Sequence, residues 1–251
     1  MNLTREEAQK ICAVFLLTDG HVKHRRSRNK LILNFYGKDE SLHRAYKEFM
    51  ELGFERQPSY YCSFDRSKRV FVTGYEFNEH SDSLKRFNSF SPTYTTKGIA
   101  GKEPSITFLF NEKREVQSLA FRIAMSTEGS IGISFHRFEN RLEPRLRLAC
   151  TSPTLVQQWQ TIASKLGIEM NLDMDKASWS GIHGLRTSKK ESILNFCAIG
   201  GFYPRNVKIS RGKHDGLKKN ALLFEIKDWL TTGFLTHYLK GLISKNKQEI
   251  G

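Results

Sequence analysis

The segment CAVFLLTDG at residues 12–20 and its counterpart FRIAMSTEG at residues 121–129 decide the fold of this chain. Each is an apolar run with helical spacing that ends in an acidic residue and a glycine. Each is followed by a strand-like segment, which begins at His21 in the first case and at Ser130 in the second. The sequence therefore predicts two equivalent helix-to-strand junctions, and each junction carries one carboxylate.

The two acids at these junctions, Asp19 and Glu128, are the first candidates for a functional site. A carboxylate in the last turn of a helix faces the negative end of the helix dipole, which is unfavourable. Local rules that are broken at matching points of a repeat are expected at functional sites. If the two helices pack side by side, a divalent cation between the carboxylates relieves their repulsion, and oxygen ligands suit Mg²⁺.

The rest of the sequence repeats the order helix, strand, strand, helix, strand, strand, helix. Thr4 and Glu7 form a capping box at the first helix, and Gly53 and Gly167, which end the second helix of each half, lie about 110 residues apart. The pattern predicts an α+β chain with half-domains at residues 1–97 and 112–216, a linker at 98–111 and a C-terminal helical extension at 217–251. It includes a short helix near residues 83–90 and strands at residues 169–174 and 179–186.

Composition points to a nucleic-acid partner. The 251 residues carry a formal net charge of +14 and the pI is about 9.7, which favours polyanions such as DNA or RNA. No apolar stretch approaches the length of a membrane span. The cysteines are scattered, so neither a zinc site nor a disulfide framework is indicated, and an intracellular, reducing compartment such as an organelle matrix or a prokaryotic cytoplasm is expected.

The paired motifs resemble those of the LAGLIDADG homing endonucleases in their single-chain, two-motif form. In the first motif Ala13, Asp19 and Gly20 match the family letters, and in the second Gly129 is identical while Glu128 replaces Asp. Val14 and Ile123 stand where the family prefers glycine. The resemblance implies two pseudo-symmetric αββαββα halves packed through the paired motif helices, with antiparallel sheets that form a DNA-binding saddle.

The resemblance also implies a set of site residues. Asp19 and Glu128 would bind Mg²⁺ or another divalent cation, and a water would attack one scissile phosphate in each strand. The family often places a basic residue after the last helix of each half, and Lys97 and Lys208 stand at those positions, with Lys213 and Lys218 as alternatives in the second half. Polar residues where the second strand meets its helix correspond to Lys38 and to Thr151 or Ser152.

Strand alternation predicts which residues meet nucleic acid. In the second half, Ile131, Ile133 and Phe135 face one way, while His136 faces the other, and Arg145 and Arg147 share one face. Arginines two residues apart on a strand can follow a groove and pair with guanine edges or phosphates. The complete set of predicted nucleic-acid contacts is Lys23, Arg25, Arg26, Arg28, Lys30, Lys38, His136, Arg145, Arg147 and Arg186.

The leading functional hypothesis is a metal-dependent double-strand DNA endonuclease that acts as a monomer on a long target site and is encoded in an intron. Two alternatives use the same fold and the same basic surface. One is a maturase that binds its host intron RNA, and the other is a DNA-binding descendant that no longer cuts. Retention of both Asp19 and Glu128 argues against the second alternative, because a protein that only binds has no need of two unfavourable acids.

Overall fold

A computed structural model describes residues 2–25, 30–54, 59–78, 85, 89–95, 97–98, 101–136, 141–210 and 214–241. The helices are α1 (Arg5–Asp19), α2 (Glu40–Gly53), α3 (Arg114–Thr127), α4 (Pro153–Lys165), α5 (Lys190–Ala198) and α6 (Lys219–Thr232). The strands are β1 (Gly20–Arg25), β2 (Lys30–Gly37), β3 (Ser59–Asp65), β4 (Val70–Asn78), β5 (Gly129–His136), β6 (Arg141–Ala149), β7 (Asn171–Met174) and β8 (Ile182–Thr187). Within the described residues, no helix has the length and apolar character needed to cross a membrane.

The strands form two antiparallel four-stranded sheets with the same topology. The first has the order β1-β2-β4-β3 and the second the order β5-β6-β8-β7. Alternation along β6 is clear: Leu142, Pro144, Leu146 and Leu148 are buried, whereas the charged residues between them are partly exposed. The second sheet therefore has an apolar face and a more polar outer face, as the sequence predicted, and the α+β prediction is confirmed.

Helices α1 and α3 pack against each other and join the two halves. Val14 on α1 and Ile123 on α3, which stand where the resemblance predicted glycine, are completely buried. Buried residues of both halves belong to one continuous apolar cluster. The helix pair is thus the central element of a shared core, and both acidic helix ends lie on the same side of it.

The opposite ends of the two helices are held together by charged pairs. Lys10 Nζ lies 2.7 Å from Glu112 Oε1, and Lys113 Nζ lies 3.2 Å from Glu7 Oε1. Glu7 also completes the predicted capping box with Thr4. Because Lys10, Glu112 and Glu7 are largely buried, these pairs are shielded from solvent more than ordinary surface pairs are. They fix the start of α1 against the start of α3.

The glycines that follow the two acids are required by close packing rather than by a left-handed turn. Gly20 has φ −127° and ψ 179°, which is an extended conformation. A Cβ atom at Gly20 would lie 2.4 Å from Leu16 Cα, and a Cβ at Gly129 would lie 2.4 Å from the carbonyl oxygen of Met125. Both glycines thus let the first strand residue lie directly against the last turn of the preceding helix, in the same way in each half.

One predicted strand begins later in the structure, and one predicted helix is largely untested. The strand predicted from residue 179 begins at Ile182, because hydrogen-bonded turns occupy residues 175–181 and Gly181 has φ 74°. The short helix predicted near residues 83–90 lies largely outside the described residues. The C-terminal segment forms α6, and its Leu222, Leu223 and Ile226 are fully buried, so this helix is part of the core.

Candidate active site

Asp19 is the last residue of α1, and Glu128 directly follows the last residue of α3. The threonine before each acid makes the same local contacts in both halves. Thr18 Oγ1 donates to the carbonyl oxygens of Val14 and Phe15, and Thr127 Oγ1 donates to those of Ile123 and Ala124, all at 3.0–3.1 Å. These bonds take up carbonyl groups of the last helical turn and fix the backbone from which each carboxylate projects.

Both carboxylates line one cavity of about 470 Å³ between the two halves. Burial raises the pKa of Asp19 to about 6. Burial, with the nearby charge of Asp19 as a second cause, raises the pKa of Glu128 to about 7, while Lys219 acts in the opposite direction. The two acids are therefore close enough to repel each other in a partly desolvated space.

The donor set fits a hard divalent cation. Neither carboxylate receives a hydrogen bond or an ion pair from another described residue, so its oxygens are available as ligands. Bringing a cation between two desolvated, mutually repelling carboxylates lowers their electrostatic cost, and oxygen ligands suit Mg²⁺. The described residues contain no group of three or more His, Cys, Asp or Glu side chains able to hold a metal. The remaining ligands would have to be water, backbone oxygens or a bound phosphate.

A lysine that the sequence did not single out lies in the same cavity. Lys219, the first residue of α6, is 7% exposed and donates from Nζ to the carbonyl oxygens of Ser126 at 2.8 Å and Gly129 at 2.6 Å. Burial lowers the pKa of Lys219 to about 8, although the charges of Asp39 and Glu128 act to raise it. Lys219 therefore brings a positive charge to the end of α3, beside Glu128.

The predicted basic residues occupy different places. Lys38 and Lys208 are exposed and line the cavity that contains the acids. Lys97 is exposed and does not line it. Of the two alternatives in the second half, Lys218 is exposed beside Lys219, and Lys213 lies outside the described residues.

The two polar residues predicted after the second strand of the second half, Thr151 and Ser152, lie in different environments. Thr151 lines a smaller, mostly apolar pocket of about 190 Å³ that borders Glu128 from the other side. Ser152 is buried and caps α4, because its side chain accepts a hydrogen bond from the backbone of Leu155. Ser152 thus has a structural role at the start of this helix.

On the first sheet, the predicted nucleic-acid contacts lie along β1 and β2. Lys23 is exposed on β1. Lys30 Nζ, at the start of β2, pairs with Glu76 Oε2 of β4 at 3.0 Å. Arg25 ends β1, while Arg26 and Arg28 lie outside the described residues.

The outer face of the second sheet holds the other predicted contacts, and each of them has an acidic partner. His136 and Arg145 both contact Glu143 Oε2, at 2.8 and 3.1 Å. Arg147 and Arg186 both contact Asp173, each at 3.3 Å. Alternation along β6 already places Glu143 on the face of Arg145, but nothing in the sequence shows that Asp173 of β7 contacts two arginines of other strands.

The fold is similar to solved structures of LAGLIDADG proteins. The homing endonuclease I-GzeII in complex with its DNA target superposes with a TM-score of 0.57 at 12% identity, over 97% of this chain and 98% of that chain. I-DmoI in complex with DNA and Mn gives 0.52 at 12% identity, over 78% and 97% of the two chains. The N-terminal LAGLIDADG domain of DUF199/WhiA gives 0.50 at 13% identity, over 80% and 86%.

At the level of sequence, no protein-family model and no curated protein matches the chain. The similarity is therefore one of fold, and it covers nearly the whole chain in the comparison with I-GzeII. Both halves, the paired helices and the two sheets belong to the LAGLIDADG fold.

Proposed function

We propose that this chain, whose fold is that of the LAGLIDADG homing endonucleases, is a DNA endonuclease that cuts both strands of a long target site. It would act as a monomer, because one chain already supplies two junctions with one acid each. The predicted division into half-domains at residues 1–97 and 112–216, with a linker and a C-terminal extension, is part of this proposal. So is the origin of the protein in an intron.

The observation that carries the proposal is the shared cavity of Asp19 and Glu128. Two carboxylates reach it from equivalent ends of paired helices, both are desolvated, and neither has a partner among the described side chains. A binding protein gains nothing from this arrangement, since two buried acids repel a phosphate backbone. The I-DmoI structure of similar fold contains DNA and Mn, which supports the use of a divalent cation.

A divalent cation held by Asp19 and Glu128 would supply Lewis-acid stabilisation of the charge that develops on a phosphate. The chain itself contributes position and electrostatics. Thr18 and Thr127 fix the two helix ends, and Lys219 holds the backbone on both sides of Glu128. Lys208 and Lys38 line the cavity from its exposed side, where a lysine stabilises an anionic phosphate group. Lys97 remains the predicted basic residue of the first half.

The polar sheet faces would bind the DNA. They carry Lys23, Lys30, Arg145, Arg147 and Arg186 on strands, a placement that suits the major groove. The net charge of +14 supplies the general attraction to phosphates, and this attraction weakens as salt concentration rises.

The decisive test is cleavage of a DNA library that covers candidate insertion sites, with Mg²⁺ and with chelator. Wild type should cut one long site only when the metal is present. Asp19→Asn combined with Glu128→Gln should abolish cutting while the protein still binds DNA. Glu51→Gln is a matched control, because Glu51 is an exposed acid on α2 that pairs with Lys47 in the same helix.

A binding function is the alternative, and the fold alone does not exclude it, since one similar structure is described as a LAGLIDADG domain rather than as an endonuclease. Folded wild-type protein that binds DNA tightly but never cuts it would overturn the endonuclease proposal. Tight and selective binding of intron RNA in place of DNA would favour the maturase.

A further inference from the structure

Asp173 is an acid on a surface that otherwise attracts nucleic acid. It is 5% exposed, it lies on the edge strand β7, and it contacts Arg147 and Arg186 of other strands. Those two arginines are direct cross-strand partners in β6 and β8. A negative charge at this place weakens the attraction to phosphates, so its presence calls for a different advantage.

The contacts show what the carboxylate does. Its Oδ2 lies 3.3 Å from Arg147 Nε, and its Oδ1 lies 3.3 Å from Arg186 Nη1. Both contacts are ion pairs rather than hydrogen bonds, since Arg147 Nε has no hydrogen-bond partner among the described residues. Through its charge, one buried carboxylate thus attracts two long side chains that would otherwise lose more conformational entropy when they bind. Arg147 keeps both terminal nitrogens for another partner, and Arg186 keeps Nε and Nη2. Each arginine still offers two neighbouring donors, the number that the N7 and O6 atoms of guanine accept.

The surroundings have the shape of a recognition site. Arg186 also lines a polar concavity of about 260 Å³, together with Arg145, Asn171 and Glu143. The side chain of Arg186 is half exposed and that of Arg147 is one-third exposed, whereas that of Asp173 is buried. The guanidinium groups are therefore accessible to a ligand while the buried carboxylate holds them near Asp173.

We propose that Asp173 is a specificity-determining positioning residue, which holds Arg147 and Arg186 in place to read guanine in the major groove of the target DNA. This inference rests on the proposed DNA-binding function. It predicts that Asp173 has opposite effects on two properties. The carboxylate increases discrimination between bases, and it decreases the general affinity for DNA.

The test is selection of a randomised double-stranded DNA library for binding in the presence of chelator, followed by affinity measurements on the selected site and on its single-base variants. Asp173→Asn should lower the preference for guanine about tenfold at one or two adjacent base pairs. It should leave other positions unchanged and should tighten binding to non-specific DNA. Glu169→Gln is the matched control, because it removes the same charge from an exposed acid that pairs with Lys189.

Arg186→Lys separates positioning from folding, since the residue is half exposed and keeps its charge. It should lose discrimination at the same base pairs as Asp173→Asn, with non-specific affinity unchanged. An unaltered base preference in both variants would overturn the inference while leaving DNA binding intact. Equal losses at every position would do so as well, because they indicate a structural role. Wild-type protein without any sequence preference would instead overturn the proposed function, and this inference with it.

Discussion

The ammonium group of Lys219 donates a hydrogen bond to the main-chain oxygen of Gly129 at 2.6 Å. A second bond, to the carbonyl oxygen of Ser126 at 2.8 Å, places the lysine across the end of α3 and the start of β5. Glu128 lies between these two carbonyl groups in the chain. A cation near the C-terminal end of a helix is favourable, so Lys219 offsets part of the cost of placing an acid there.

Replacement of Lys219 by Met should destabilise the protein and impair its cavity. Two buried carbonyl groups lose their donor, and an unsatisfied buried polar group costs about 1–3 kcal/mol. The pKa of Glu128 should rise further, because the charge of Lys219 acts to lower it. Chemical denaturation measures the first effect, and metal-dependent cutting at pH 7 measures the second. Lys218→Met is the control for stability, since the neighbouring lysine is exposed; an equal loss of stability in both variants would contradict this role.

The contribution of Asp19 and Glu128 to the stability of the metal-free protein should fall as pH rises from about 4 to about 7. Burial raises the pKa of Asp19 from 3.8 to about 6 and that of Glu128 from 4.5 to about 7. The native state therefore binds more protons than the unfolded state in this range, and the stability from these groups is complete below the ordinary pKa values and lost through the raised ones. Asp19→Asn with Glu128→Gln should remove this contribution.

The measurement is thermal unfolding in chelator at a series of pH values, with wild type compared against the double variant. Other acids, such as Glu7 and Glu143, have lowered pKa values and contribute a slope of opposite sign that is common to both proteins. The difference between the two proteins isolates the cavity acids. Added Mg²⁺ should stabilise wild type more at pH 8 than at pH 5.5, because ligand binding favours the ionised native state. Parallel profiles would show that the two carboxylates are ordinary surface acids.

Alanine at either junction glycine should overpack the helix end. A Cβ atom would lie 2.4 Å from main-chain atoms of the preceding turn in both Gly20→Ala and Gly129→Ala. Neither backbone can move without disturbing the helix pair, so we expect a loss of about 1–3 kcal/mol in the free energy of unfolding. Gly132→Ala in β5 is the control, because no atom lies within 4 Å of its added Cβ. Unchanged denaturation midpoints in the junction variants would contradict the packing argument.

The repeated order of helices and strands could be predicted from the sequence because the signals for each element are local. The capping box at Thr4 and the alternation in β6 depend on residues a few positions apart, and both appear in the structure. Glycines that end helices commonly adopt a left-handed conformation, but Gly20 is extended. Glycine is needed at this position because a Cβ atom would lie too close to Leu16 in the preceding turn. The strand predicted from residue 179 begins later for a comparable reason, because turn hydrogen bonds compete with strand pairing there.

Lys219 and Asp173 could not be predicted because their partners are distant in the chain. Lys219 reaches carbonyl groups some 90 residues earlier only because α6 packs onto the core through its buried leucines. Asp173 meets Arg147 and Arg186 through sheet pairing that sequence alone does not define. In a chain with 40 basic residues, composition does not distinguish a buried lysine from an exposed one.

Asp39 connects the two halves beside the cavity, and its replacement gives the last prediction. Its Oδ1 accepts from the backbone of Ser41 and caps α2, while its Oδ2 accepts from the backbone N–H of Lys208 at 2.7 Å. Asp39→Ala should therefore lose a helix cap, at about 1 kcal/mol, and a contact between the halves. Asp39→Asn keeps one accepting oxygen, so it should retain the cap and lose the contact.

Ser152→Ala is the comparison, because the Ser152 side chain caps α4 through a hydrogen bond that lies within the second half. We expect the loss of stability to be largest for Asp39→Ala and smaller for both other variants. Only the two Asp39 variants should speed amide hydrogen exchange at Lys208, since its N–H loses the acceptor. Exchange at Lys208 that stays as slow in both Asp39 variants as in wild type would show that this contact does not hold the halves together, and Lys208 would then be positioned by its bridge to Lys218 alone.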